Sequence, residues 1–63
     1  MNGYYAILTA IIRKNGGRFI RKAKGDHEIW ACNGIQETVD RGIKSRVLAN
    51  KILKMLKIQE RVK

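Results

Sequence analysis

The chain has no proline, one cysteine, one histidine and only five acidic residues among its 63 positions. Each shortage excludes something. A single thiol, Cys32, forms no intrachain disulfide and builds no cysteine-based zinc site. That pattern fits a reducing, cytoplasmic setting. Nor is there a long hydrophobic run. The stretch YYAILTAII (4–12) is too short to cross a bilayer, lacks a basic segment before it and is followed by no small-residue cleavage pattern. It reads as a core helix.

Fourteen Lys and Arg outweigh those five acids for a net charge of +9, spread over the whole chain. Such an excess favours a polyanionic partner, nucleic acid foremost, although an anionic membrane surface or an acidic protein also satisfies it. The length accommodates one domain, 1–63. A domain of this size buries only ~60% of the surface its unfolded chain exposes. A second copy or another protein is therefore expected to complete it.

Apolar residues at Tyr4, Ile7, Leu8, Ile11 and Ile12 repeat with the 3.6-residue period of a helix with one buried stripe. Asn2 suits its cap, Arg13 and Lys14 suit the negative end of its dipole, and the pair Gly16, Gly17 supplies the left-handed backbone that stops it. Three β-compatible segments follow, RFIRKA, HEIWA and IQETVD. The first break carries Lys24 and Gly25, and the second carries Cys32, Asn33 and Gly34. Asn33 and Gly34 form a hairpin turn signal, because both tolerate positive φ. Helical spacing returns with Val47, Leu48, Ile52, Leu53 and Leu56 on one side and Asn50, Lys51, Lys54 and Lys57 on the other, with Ser45 as N-cap. The expected fold is α+β, in the order α-β-β-β-α, with a three-stranded antiparallel sheet and two helices packed on one face. Because Phe19 and Ile20 are adjacent, as are Ile29 and Trp30, both sheet faces carry bulky apolar groups. Another chain is expected to cover part of the second face.

His27 follows the first glycine turn, with Arg21, Lys22 and Lys24 just upstream. A lone strand histidine is more often structural or merely exposed than catalytic. Here its cationic neighbours suit it to RNA cleavage without a metal or other cofactor. A base takes the ribose 2′-hydroxyl proton, the oxygen attacks the adjacent phosphorus, and cations stabilise the non-bridging oxygens. Imidazole serves as that base because its ordinary pKa of ~6.5 leaves both forms populated near neutrality. Asp26 and Glu28 flank the histidine but, by strand alternation, face away from it and pair with nearby cations. They do not make a metal nuclease, since Glu37, Asp40 and Glu60 form no motif with them. Cys32 lies five residues along the strand, roughly 16 Å away, and reads as a partly buried small residue. Lys51, Lys54 and Lys57 form a solvated helix face by default. Lys44 and Arg46, at the start of the second helix, are better placed to contact phosphate.

The segment KNGGRFIRKAKGDHEIW, the later TVDRGIKSR and the amphipathic ANKILKMLKI resemble HicA toxins, also called YcfA-like mRNA interferases, from Ala6 to Ile58. The most specific positions are Asn15, Gly16, Arg21, Gly25, Asp26, His27 and Ile29. The resemblance implies a fold like the double-stranded RNA-binding domain, ribosome-independent mRNA cleavage with His27 as the catalytic histidine, and a HicB-like antitoxin that covers the toxin and its active site. Two positions depart from the pattern. Asp26 stands where many relatives have serine, and Lys57 stands where glycine commonly closes the second helix. A non-catalytic double-stranded RNA-binding module on the same fold is the alternative. A third class is an interaction protein whose basic surface meets only an acidic partner.

Overall fold

Residues 3–63 are described by the computed structural model, so Asn2 lies outside the described residues. The order is α1 (Tyr5–Lys14), β1 (Arg18–Lys22), β2 (His27–Cys32), β3 (Ile35–Asp40) and α2 (Arg46–Met55). The three strands form an antiparallel meander in spatial order β1-β2-β3, with β2 in the centre. Asn33 (φ 56°) and Gly34 (φ 78°) make the two-residue turn that their sequence predicts. The turn sets Cys32 opposite Ile35, Trp30 opposite Glu37 and His27 opposite Asp40.

Both helices cover the sheet face that carries Trp30, Cys32 and Val39. These three are buried together with Leu8, Ile11 and Ile12 of α1 and Ala49, Ile52 and Leu53 of α2. A fully buried aliphatic side chain stabilises the fold by about 1.5–3 kcal/mol, so this one cluster dominates the energetics. Gly17 allows the close approach of α1 to the sheet. A Cβ there would stand 2.5 Å from Ile12 Cγ2 and 2.7 Å from the Ala31 carbonyl oxygen. The left-handed residue expected of the Gly16, Gly17 pair is Gly16 (φ 88°).

Three expected core residues lie outside it. Ile7 is half exposed, Leu48 is half exposed, and Val47 is 77% exposed. The buried stripe of α2 instead runs through Ala49, Ile52 and Leu53 and ends on Leu56 just past the helix. Ile43, Ile58 and Val62 complete the cluster from outside the regular elements. The segment after α2 is tied back by Asn50, whose Oδ1 accepts from the Val62 N–H (2.6 Å) and whose Nδ2 donates to the Val62 carbonyl (3.1 Å). The adjacent pair Phe19, Ile20 is resolved by a bulge between Phe19 and Arg21. Phe19 stays opposite Trp30 and meets it edge to face at 5.8 Å, and the Arg13 guanidinium sits 4.8 Å over the indole. Ile29 and Ala31, on the other face, are only half-buried.

The two helices end in the same way. In α1 the Gly17 N–H donates to the Ile12 carbonyl and the Gly16 N–H to that of Arg13; in α2 the Ile58 N–H donates to Leu53 and the Lys57 N–H to Lys54. Each closure needs a left-handed residue, which is Gly16 in the first and Lys57 (φ 63°) in the second. A Cβ in that conformation costs about 1–2 kcal/mol. Lys57→Gly is therefore expected to stabilise the protein by about 1 kcal/mol, which raises the melting temperature by roughly 4–8 °C. Calorimetry of the two proteins checks this, and an unchanged or lower melting temperature contradicts it.

Candidate functional site

Antiparallel order brings the end of β1, the start of β2, the end of β3 and the approach to α2 to one end of the sheet. The Arg41 N–H donates to the Asp26 carbonyl (2.9 Å), and the Tyr4 N–H donates to that of Ile43 (2.8 Å). The first bond joins the β1–β2 turn to the β3–α2 connection. The second brings the start of α1 to the same end. Cations far apart in sequence are thereby brought to one end: Lys22 from the end of β1, Lys24 from the first turn, and Arg41, Lys44 and Arg46 from the connection and the first turn of α2. All five are exposed. Ser45 begins α2 as its sequence suggests, its hydroxyl accepting from the Leu48 N–H at 3.0 Å.

His27 opens β2 at this end, half exposed, on the face away from the helices. Its cross-strand partner Asp40 presents Oδ2 at 3.8 Å from His27 Nε2. That separation is too long for a hydrogen bond and is an ion pair when the imidazole is protonated. Asp40 is held in place because its Oδ1 accepts from the Gly42 N–H at 2.8 Å. Arg21 pairs with Ile29 and so shares the face of His27, whereas Lys22 pairs with Glu28 and belongs to the opposite face. The basic group expected beside the histidine is thus divided, with Arg21 on its face and Lys22 behind it.

The two flanking acids also separate. Asp26 stands exposed in the turn, where strand alternation does not apply, while Glu28 does face away from His27 and is only 7% exposed. Glu28 Oε1 accepts from the Tyr5 hydroxyl (2.7 Å) and from Trp30 Nε1 (2.9 Å), and Oε2 lies 3.8 Å from Arg41 Nε. Burial alone would raise its pKa. The two hydrogen bonds and the charges of Arg41 and Lys22 outweigh burial and hold the carboxyl below its ordinary value. Tyr5 is pushed up, first by burial and then by its bond to that carboxylate. Glu28 thus fixes α1 to the central strand. Cys32 is fully inside, its Sγ 3.4 Å from the Asn15 carbonyl oxygen, on the opposite face from His27.

A cleft of about 350 Å³ lies between β3 and α2. His27, Thr38 and Asp40 contribute to its sheet side, and Leu48, Lys51 and Met55 to its helix side. Lys51, assigned by spacing to a solvated face, therefore shares a cavity with the histidine. Three participants escaped the sequence reading, Arg41 among them, which follows β3 directly. Asp40 follows from counting back across the Asn33–Gly34 turn, a signal that was present. Lys51 follows from how α2 is rotated about its axis, which hydrophobic spacing left ambiguous. Comparisons of the chain with protein-family models, with curated proteins and with solved structures returned no match.

The Glu28 arrangement has a pH signature. Its folded pKa is depressed, so the unfolded chain binds more protons as acid is added. The stability it contributes is complete above the ordinary carboxylate range and is lost as pH falls through the lower folded value. Urea unfolding from pH 7 downward is expected to show this loss. Glu28→Gln is expected to be less stable by about 1–3 kcal/mol at neutral pH and to have a shallower acid slope. Equal slopes in the two proteins contradict the assignment.

Proposed function

We propose that this chain is a metal-independent endoribonuclease that cleaves mRNA, the toxin of a type II toxin-antitoxin pair, as its resemblance to HicA implies. The observation that carries the reading is the convergence at one end of the sheet of a half-exposed imidazole with cations drawn from separate segments. His27 acts as general base or general acid. Arg21, on its face, and Lys24, Lys44 and Arg46, around the end of the sheet, hold the phosphates, with Lys22 serving the backbone on the far side. The expected fold relationship to double-stranded RNA-binding domains, the reducing cytoplasmic setting, a HicB-like antitoxin over the site and self-association belong to the same proposal.

In the reaction His27 takes the 2′-hydroxyl proton, the 2′-oxygen forms a bond to phosphorus, and the bond from phosphorus to the 5′-oxygen breaks. The leaving oxygen takes a proton from water, the proton held by His27 returns to solvent, and the products are a 2′,3′-cyclic phosphate and a 5′-hydroxyl. Negative charge grows on the non-bridging oxygens in the transition state, which is where nearby cations act. DNA lacks the attacking oxygen, so the chemistry selects RNA. Glu28, bonded into the core, takes no part.

The test is cleavage of mixed mRNA in EDTA. Wild-type protein is expected to generate cyclic-phosphate ends, and His27→Ala to cut about 10²–10⁴-fold more slowly while retaining RNA binding that weakens steeply with salt. Equal cleavage by both proteins would falsify the role of His27. Tight duplex binding with no cleavage by wild type would identify a non-catalytic double-stranded RNA-binding module instead.

A further inference from the structure

The core of α2 is complete without Leu48 and Met55. Its buried positions are Ala49, Ile52 and Leu53, yet Leu48 and Met55 remain 45% and 46% exposed. They are seven residues apart, two helical turns, with Lys51 between them on the same side of the helix. All three line the cleft whose far wall holds His27 and Asp40. Among the described residues no ion pair engages Lys51.

We propose that this cleft is the subsite that seats one unstacked nucleotide, with a phosphate between His27 and Lys51 and the base against Leu48 and Met55. The inference rests on RNA as the ligand, and it adds where the strand lies and which residues grip it. Size sets the occupant. A cleft of about 350 Å³ is at the lower end of the ~300–1,000 Å³ of small-ligand sites. That volume matches a single nucleotide. Its chemistry fits the same occupant, since an apolar wall suits the face of a base while Glu37 and Thr38 offer hydrogen-bonding groups to the base edge. The polarizable thioether of Met55 adapts to rings of different shape. Lys51 supplies the charge that such a wall lacks.

Two carboxylates also line the cleft and constrain where the phosphate sits. Asp40 has one oxygen on the Gly42 N–H and the other turned to His27. Glu37 lies three residues back along β3, opposite Trp30 and so on the other sheet face from Asp40. The resulting order is base at the Leu48–Met55 wall and phosphate at the His27–Lys51 end. Such a site demands a single strand, because a paired and stacked base cannot enter it.

The test uses a labelled 2′-O-methyl RNA, which cannot be cleaved, so that fluorescence anisotropy reports binding independently of catalysis. Wild type is expected to bind the single strand about tenfold or more tightly than the annealed duplex. Lys51→Gln is expected to weaken single-strand binding about fivefold and to lower the salt slope by about one phosphate. Lys54→Gln makes the same charge change on α2 outside the cleft and is expected to cost about twofold at most. Leu48→Ser is expected to weaken binding with the slope unchanged. Circular dichroism confirms that these exposed substitutions leave the fold intact. Equal binding of strand and duplex, or equal effects at Lys51 and Lys54, overturns the subsite while cleavage by wild type keeps the ribonuclease reading. RNA binding indifferent to both Leu48 and Lys51, the result expected if a protein segment fills the cleft, also overturns it. Cleft-dependent binding without cleavage supports the subsite and removes the catalytic reading.

Discussion

Everything at the candidate site depends on the register of β2 against β3, and the turn at Asn33–Gly34 sets it. Side chains alternate along a strand, so a slip of one residue exchanges the two faces. His27 would then enter the core, and Trp30, Cys32 and Glu28 would face water. Losing burial of the indole and its neighbours would cost on the order of several kcal/mol. Asn33 adds a second restraint, since its side-chain amide donates to the Leu56 carbonyl (2.8 Å). The same residue that sets the register also satisfies the end of α2. Sheet register and helix position are therefore coupled through one side chain.

Glu28 shows how the chain places an ionised carboxylate in a small core. An isolated buried charge is strongly unfavourable, and partners must offset the desolvation. Here the Tyr5 hydroxyl and the Trp30 indole supply two hydrogen bonds, and Arg41 supplies the nearest opposite charge. The geometry has a consequence at the surface. Arg41 is drawn toward Glu28 by its side chain while its backbone N–H holds the Asp26 carbonyl, so the loops that carry the exposed cations are pinned to the core. A site made of loops is positioned by a rigid scaffold when such bonds exist.

The element order, the hairpin and the Ser45 cap were legible in the sequence because each rests on local chemistry. The faces of the helices were less legible. Hydrophobicity favours Val47 and Leu48 over Ala49, yet Ala49 is fully buried and Val47 is the most exposed large apolar side chain among the described residues. Position 49 falls in line with Ile52, Leu53 and Leu56, whereas position 47 lies nearly opposite; tertiary packing then selected the small residue over the more hydrophobic one. Ile58 and Val62 could not be assigned from periodicity, since they lie beyond the helix and are placed by the Lys57 closure and the Asn50 bonds. At the site, His27 and the cations were readable as a composition. Their division between two faces was not, because the bulge shifts β1 and pairs Arg21 rather than Ile20 with Ile29.

The acid that bears on His27 is Asp40 rather than Asp26, and its charge must be weighed against the cations. Two exposed unit charges 4 Å apart interact by ~1 kcal/mol in water, and salt screens interactions beyond ~8 Å. The repulsion between Asp40 and an incoming phosphate is therefore on this scale. It is reduced further because the Gly42 N–H already occupies one carboxylate oxygen. Opposing it are Arg21 on the same face and Lys24, Arg41, Lys44 and Arg46 around the sheet end. They outnumber Asp40 at the sheet end, with Arg41 also shared with Glu28. What Asp40 changes is local to the imidazole it faces. The carboxylate is fixed by the backbone of its own turn, so a protonated ring faces a negative charge whose position that turn sets.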